Sequence, residues 1–417
     1  MSTLVVVGLG YVGLPLAQLA TRRGLQTVGL DADPAVVERL NDGRSHVDDI
    51  SDAEVAAMVA GGFRATTDAG VVAEAGTVVV CVPTPLSSGG GPDLSMVSSA
   101  MREIGARLTR DTLVVLESTT YPGTTEELVR PLLEEASGLG AGTDFFLAFS
   151  PERVDPGNKH FTVENTPKVV GGLTAACSDR AVKFYGGLVD TVVVARGTRE
   201  AEMAKLLENT YRHVNIALVN EMAQFSHDLG IDFWDVIRLA ETKPFGFQAF
   251  RPGPGVGGHC IPIDPNYLSH RVQQQLGYPF RFVELAEEIN NTMPAYVASR
   301  VQLLLNEQCR SVRGSTILLL GVTYKADIAD QRETPAKPLA ERLSALGARV
   351  QYFDPHVPEW QVEGVERVAD PAAAAGAADL TILVQPHSAF DIPALVDAAG
   401  TFLDLRGVAE GEGVHRL

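Results

Sequence analysis

The chain opens on apolar runs separated by turns. In "STLVVVGLGYVGLPLAQLATRRGLQTVGLDAD" the unbroken stretch Leu4–Val7 runs into glycines, then into an apolar-periodic segment, then into a second apolar run. This predicts strand, tight turn, helix and strand, with the strands buried on both faces, because they do not alternate apolar with polar. Similar runs at "GTVVVCVPTP" and "TLVVLESTT" continue the parallel pattern, and "DFFLAFSPERVDPG" and "KVVGG" extend the same domain to about residue 195. The period then lengthens. Across "TREAEMAKLLENTYRHVNIALVNEMAQFSHDLG", Leu207, Tyr211, Val214, Leu218, Met222, Phe225 and Leu229 recur at steps of three and four, which predicts one long helix with this stripe buried. Lys205, Asn209, Arg212, Ile216 and Asn220 trace a second, mostly polar stripe, readable as a solvated face or as a face turned to a site. Another helical stretch reaches about residue 310. From "RGSTILLLG" to "YFDP" the opening plan repeats without its glycines, and "DLTILVQP" and "TFLDLRG" add further strands.

Composition narrows the class. The 417 residues are too many for one ordinary core. No apolar run reaches the roughly 18 residues of a membrane span, and the first strand leaves no room for a leader, so a cytoplasmic location and no membrane partner are expected. The four cysteines (Cys81, Cys177, Cys260, Cys309) are far apart, which argues against disulfides and against a metal site. A net charge of −18 argues against nucleic acid as a partner, though not against a small anionic ligand held by backbone amides.

Gly8, Gly10 and Gly13 form G-x-G-x-x-G after a strand and before a helix, and the second strand ends on Asp31. That register is the dinucleotide fingerprint: a tight turn, close backbone approach to a pyrophosphate, and an acid for a ribose hydroxyl. The fold class expected is therefore α/β: two Rossmann-like doubly wound domains, residues 1–197 and 311–417, joined by a central helical region, 198–310, that holds the long helix. Ligands of such sheets lie beyond the strand C-termini. The loops "CVPTP", "ESTTYPGTT" and "SPERVDPG" fall there, which makes Thr119 and Glu152 candidates for a site, or else an ordinary loop hydrogen-bonder and a solvated turn acid.

The stretch "FRPGPGVGGHCIPIDP" holds Cys260 in a glycine- and proline-rich loop, with Asp264-Pro265 just beyond. The Asp-Pro pair reads as the start of a helix. A thiol beside a helix N-terminus is also easier to ionise. The loop alone is compatible with either reading.

Taken together, "GLGYVGLP", "CVPTP", "ESTTYPGTT", "SPER", "AEMAKLLENTYR", "GVGGHCIPIDP", "GVTYKADIADQRETP" and "YFDP" resemble, in that order, the nucleotide-sugar 6-dehydrogenases that act on UDP-glucose, GDP-mannose and UDP-N-acetylhexosamines. The resemblance covers essentially the whole chain. "GGHCIPIDP" and "PFGFQAFRPGPG" look most like enzymes for UDP-N-acetyl-mannosamine or UDP-N-acetyl-glucosamine. It implies a four-electron oxidation of C6 with two NAD consumed. Cys260 would be the nucleophile, Asp264 would help activate water, Lys205 and Asn209 would stabilise oxyanions, and Glu152 and Thr119 would position water.

NAD would be held by Gly8, Gly10, Tyr11, Val12, Gly13, Asp31, Pro83, Thr84 and Thr119, with Arg332 approaching from the C-terminal domain. The nucleotide sugar would meet Glu152, Arg153, Lys205, Asn209, Arg251, Gly255, Gly257 and Lys325. The resemblance assigns His259 no catalytic part. Ala326 and Gln331 depart from the family pattern, which bears on the nucleotide base. A UDP- or TDP-glucose dehydrogenase is the nearest alternative. A two-electron hydroxyacid dehydrogenase would leave Cys260 unexplained, and a non-catalytic nucleotide-binding protein would leave Cys260, Lys205 and Asp264 unexplained. A long helix with a stripe on each face suggests a homodimer.

Overall fold

The computed structural model describes residues 3–47, 49–87, 91–153, 158, 160–258 and 261–417. Cys260 and His259 lie outside the described residues. The chain forms two compact units: residues 1–208 with 266–277, and residues 209–265 with 278–417.

The first unit is built on one sheet of strands β1 (Thr3–Val7), β2 (Thr27–Leu30), β3 (Arg64–Thr66), β4 (Ala75–Val80), β5 (Leu113–Leu116), β6 (Phe146–Phe149), β7 (Lys168–Gly172) and β8 (Val192–Val194), in spatial order 3-2-1-4-5-6-7-8. The order reverses between β1 and β4, and such a switch point opens a crevice at the strand ends. The continuous apolar runs are buried on both faces, one against Leu14, Ala17 and Tyr185, the other against Val97, Met101 and Leu133. β7 runs antiparallel to β6, with Ala148 paired to Gly172. An antiparallel neighbour needs no crossover helix, and the described part of the 150–167 connection contains none.

The second unit holds a smaller sheet, parallel throughout: β9 (Thr316–Leu320), β10 (Arg349–Phe353), β11 (Glu366–Arg367), β12 (Leu380–Leu383), β13 (Phe402–Asp404) and β14 (Val414–Arg416), in order 11-10-9-12-13-14. The switch point lies between β9 and β12. One face packs on Val297, Val301 and Leu305 of the Arg281–Glu307 helix, the other on Ala375, Leu395 and Val396.

The long helix runs Thr198–Asp228, as its period predicts, but most of the stripe expected to be buried is exposed, with Val214 and Met222 half-buried. Of the polar stripe, Lys205 and Asn220 are buried while Arg212 is exposed. Leu207 is 62% exposed, Leu218 52% and Leu229 68%, with Tyr211 and Phe225 also exposed. The face turned inward instead carries Glu202, Lys205, Thr210, His213 and Asn220 among small and apolar neighbours such as Ala201, Leu206 and Ala217. Periodicity separates two faces of a helix; it does not say which one its own chain covers.

Candidate functional site

The turn after β1 is shaped by contacts that exclude side chains at two of its three glycines. A Cβ at Gly13 would sit 1.9 Å from the Gly8 carbonyl oxygen, and one at Gly8 (φ 86°) would sit 2.8 Å from the Cys81 carbonyl oxygen. Gly10 differs: its missing Cβ faces open space, with nothing within 4 Å. The protein itself does not require glycine there, whereas a pyrophosphate lying on the backbone would. The Gly13–Arg22 helix that follows has no side-chain cap at Val12; the Leu14 amide donates to the Gly10 carbonyl at 3.1 Å, so the glycine turn itself starts the helix. Asp31, at the end of β2, accepts from the Leu9 amide at 2.9 Å and from the Asp33 amide at 3.0 Å. The crevice therefore fits a dinucleotide, with the carboxylate suited to a ribose hydroxyl and opposed to a 2′-phosphate. Tyr11 and Val12 flank it, half-buried.

The loops after β4 and β5 are stitched together at the same strand ends. Thr84 Oγ1 donates to the Thr119 carbonyl at 2.9 Å, and Tyr267 donates to the Thr84 carbonyl. Pro83 is exposed beside them. The next turn, residues 121–125, is held by Glu202, which sequence reading missed. Its carboxylate accepts from the Gly123 amide (2.6 Å), the Thr125 amide (2.9 Å) and the Thr125 hydroxyl (2.7 Å). Burial pushes the Glu202 carboxyl up to about 7, against these bonds.

One turn further along the helix, Lys205 is only 7% exposed and its Nζ lies 3.8 Å from Glu152 Oε2. The structure thus brings together two candidates for the chemistry. Arg153 points elsewhere: it pairs with Glu208 at 2.7 Å and donates to the Pro167 carbonyl at 2.8 Å.

In the second unit, Asn209 Nδ2 donates to Asp264 Oδ2 at 2.5 Å, and Asp264 is 3% exposed at the first residue of the Asp264–Leu276 helix. Lys205 and Asn209 are one helical turn apart, on the same side of the helix. The glycine-rich loop packs on the loop after β9. A Cβ on Gly257 would meet the Glu333 carbonyl oxygen at 2.6 Å and Tyr324 Cβ at 2.7 Å, and the Gly258 amide donates to the Arg332 carbonyl at 3.3 Å. Gly255 has φ 134°, which favours glycine. The start of this loop is pinned from the long helix, where the buried Asn220 accepts from the Gly253 amide and donates to Asn290, both at 2.9 Å.

Arg332 holds Asp330 with Nε at 2.9 Å and Nη2 at 2.6 Å. Arg251 is exposed and pairs with Glu241 at 3.1 Å. Lys325 lies on the same loop as Arg332, its carbonyl accepting from Thr323 Oγ1 at 2.7 Å. Behind that loop lies a His387–Asp354 pair that no sequence motif signals.

Three models of one family, the UDP-glucose/GDP-mannose dehydrogenase family, match the chain: its NAD binding domain over residues 2–189, its central domain over 199–292 and its UDP binding domain over 318–411. The chain is 36% identical over 390 residues to a UDP-N-acetyl-D-glucosamine 6-dehydrogenase of Pseudomonas aeruginosa, covering 92% of this chain and 90% of that one. It is 34% identical over 387 residues to a UDP-N-acetyl-D-mannosamine dehydrogenase of Pyrococcus horikoshii, covering 92% and 89%. Among solved structures, a UDP-D-ManNAc dehydrogenase of Pyrococcus horikoshii superposes with a TM-score of 0.89 at 30% identity, over 99% of this chain and 98% of that one. A UDP-glucose dehydrogenase of Pyrobaculum islandicum superposes with a TM-score of 0.88 at 28% identity, over 100% and 96%.

The glycine turn generates a paired prediction. Gly13→Ala must open the turn and is expected to cost about 1–3 kcal/mol in denaturant unfolding. Gly10→Ala should leave stability within about 0.5 kcal/mol and weaken NAD binding by roughly tenfold or more, about 1.4 kcal/mol. Wild-type NAD affinity in Gly10→Ala would show that the open space there is not where the dinucleotide lies.

Proposed function

The chain belongs to the UDP-glucose/GDP-mannose dehydrogenase family as an NAD-dependent nucleotide-sugar dehydrogenase, and we propose that it oxidises C6 of a UDP-N-acetylhexosamine, the manno or gluco epimer, to the carboxylate. We assign NAD binding to residues 1–197, the catalytic and dimerising region to 198–310, and nucleotide-sugar binding to 311–417. The observation that carries this reading is the inward face of the long helix. It presents the buried Lys205, and one turn later an amide bonded to Asp264, the carboxylate four residues after Cys260. The names of relatives at 34–36% identity support the N-acetylhexosamine. The likeness to a UDP-glucose dehydrogenase keeps UDP-glucose as a second substrate to test.

Taking an alcohol to a carboxylate removes two hydrides and adds one oxygen from water. The bound dinucleotide supplies the hydride acceptor, once for each oxidation. After the first, C6 is an aldehyde. The Cys260 thiolate adds to it, and the carbonyl oxygen takes the negative charge of the new thiohemiacetal before it is protonated. Lys205 is suited to stabilise that oxygen, and the low-dielectric surroundings implied by its burial strengthen the effect. Loss of the thiohemiacetal proton and the second hydride gives a thioester. Water, positioned by Glu152 and Thr119 and aimed by Asp264, attacks that carbonyl. The C–S bond breaks, and the thiolate is regenerated. Asn209, by donating to Asp264, fixes the carboxylate's direction. Lys325 and the glycine loop around Gly255 and Gly257 meet the nucleotide, with Arg251 and Arg153 at the margins.

The exposed stripe Leu207, Tyr211, Leu218, Phe225 and Leu229 supports a homodimer formed by a second copy of this chain, since a contiguous apolar face of this kind is seldom left to water. Among the described residues no helix is long and apolar enough to cross a membrane. With free thiols at Cys81, Cys177 and Cys309, this supports a cytoplasmic enzyme.

Two tests follow. A panel of UDP-N-acetylmannosamine, UDP-N-acetylglucosamine and UDP-glucose should show the highest kcat/KM for an N-acetylated sugar. Cys260→Ala should release no uronic acid, leaving at most aldehyde, and carboxylate formed at the wild-type rate would make the cysteine structural. For the dimer, Leu218→Asp should convert the protein to monomer in sedimentation velocity; a wild-type that already sediments as monomer contradicts the interface.

A further inference from the structure

The loop after β9 is held in a course it would not adopt alone. Asp327 (φ 63°) and Glu333 (φ 49°) both have left-handed backbone, which a non-glycine residue keeps only where neighbours enforce it. The enforcing groups come from the segment after β12. Gln385 Nε2 donates to the Tyr324 carbonyl at 2.6 Å, the Ser388 amide donates to Asp327 Oδ1 at 2.7 Å, and the Asp327 amide donates to His387 Nδ1 at 2.9 Å. Because Nδ1 accepts, the neutral ring carries its proton on Nε2, which lies 2.9 Å from Asp354 Oδ2 and donates to it. Both side chains are fully buried. Asp354 is fixed in turn by the Val322 amide at 2.7 Å and the His356 amide at 2.8 Å. A chain of hydrogen bonds therefore runs from the end of β10 through the imidazole to the loop that bears Lys325.

Asp327, His356 and His387 also bring one ligand-type atom each within 4.8 Å of one another, and His356 Nε2 is buried with no hydrogen-bond partner among the described residues. Two imidazoles and a carboxylate could hold zinc. The lone pair that an ion would need on His387 Nδ1, however, already accepts from the Asp327 amide. The cluster is arranged to hold the loop.

We propose that His387 is a positioning residue for the nucleotide sugar: through Nδ1 it sets the course of the 323–333 loop, and with it the place of Lys325, without touching substrate. This rests on the reading above that Lys325 meets the nucleotide sugar.

Two substitutions in the full chain divide the imidazole's functions. In His387→Gln the amide nitrogen can still donate to Asp354, but the acceptor for the Asp327 amide is lost. In His387→Asn a side-chain oxygen near the Nδ1 position keeps that acceptor, and the Asp354 bond is lost. Steady-state kinetics with UDP-N-acetylmannosamine, or with whichever UDP-sugar the panel favours, should show KM raised about five- to tenfold in His387→Gln, with kcat and the KM for NAD within about twofold of wild type. His387→Asn should stay within about twofold of wild type in all three. Equal KM changes in the two variants, a wild-type KM in His387→Gln, or an effect confined to kcat would overturn the proposal.

Lys325→Ala tells this failure from failure of the underlying reading. If it leaves the sugar-nucleotide KM unchanged, the loop does not meet substrate; if it raises that KM while His387→Gln does not, only the positioning role is lost. Should His387→Gln fail to fold, Gln385→Ala loosens the same loop at Tyr324 without touching the buried pair. A raised KM there supports the proposal, and an unchanged KM overturns it. Stoichiometric zinc uptake in calorimetry, abolished by His387→Asn, would assign the cluster to an ion and overturn it as well.

Discussion

A buried polar helix face needs partners for the donors and acceptors it takes out of water, and the long helix supplies them at four positions, while Thr210 Oγ1 and His213 Nδ1 on the same face are buried without a hydrogen-bond partner among the described residues. Glu202 pairs with the turn after β5, Lys205 with Glu152, Asn209 with Asp264, and Asn220 with Gly253 and Asn290. Within the first unit Glu202 and Lys205, three residues apart, hold the turn after β5 and Glu152; within the second, Asn209 and Asn220 hold Asp264 and the start of the glycine-rich loop. An apolar face turned inward would have packed as well and positioned nothing.

The long helix leaves most of its greasier stripe on the outside, which connects the site to assembly. A lone chain that buries Lys205 and Asn220 and exposes Leu207, Leu218 and Leu229 gives up the cheaper burial. A second copy covering that stripe would recover it. The reading of a homodimer and the reading of the site thus rest on two different faces of one helix.

Much of the architecture was legible in the sequence because the signals are local. Gly8, Gly10 and Gly13 sit within six residues, between a strand and a helix, and Asp31 follows at the end of the next strand. Unbroken apolar runs mark buried strands in both sheets. Other features depend on long-range choices. β7 pairs antiparallel to β6, and its five residues read the same in either direction. Glu202 meets Thr125 across 77 residues and His387 meets Asp354 across 33, so no spacing rule joins them. Leu207 to Leu229 look like a core stripe because apolar periodicity does not distinguish a core from an interface. Lys205, Asn209 and Asp264 were picked out as candidates, but their contacts with Glu152 and with each other needed the fold.

The central claim is that this chain carries out two oxidations at one carbon. The most direct measurement is the stoichiometry of the wild-type reaction, with NADH counted by absorbance and the sugar nucleotide quantified as alcohol, aldehyde and carboxylate. The account predicts two NADH and one uronic acid for each sugar consumed, with no free aldehyde accumulating. One NADH per sugar, with aldehyde as the released product, would contradict it.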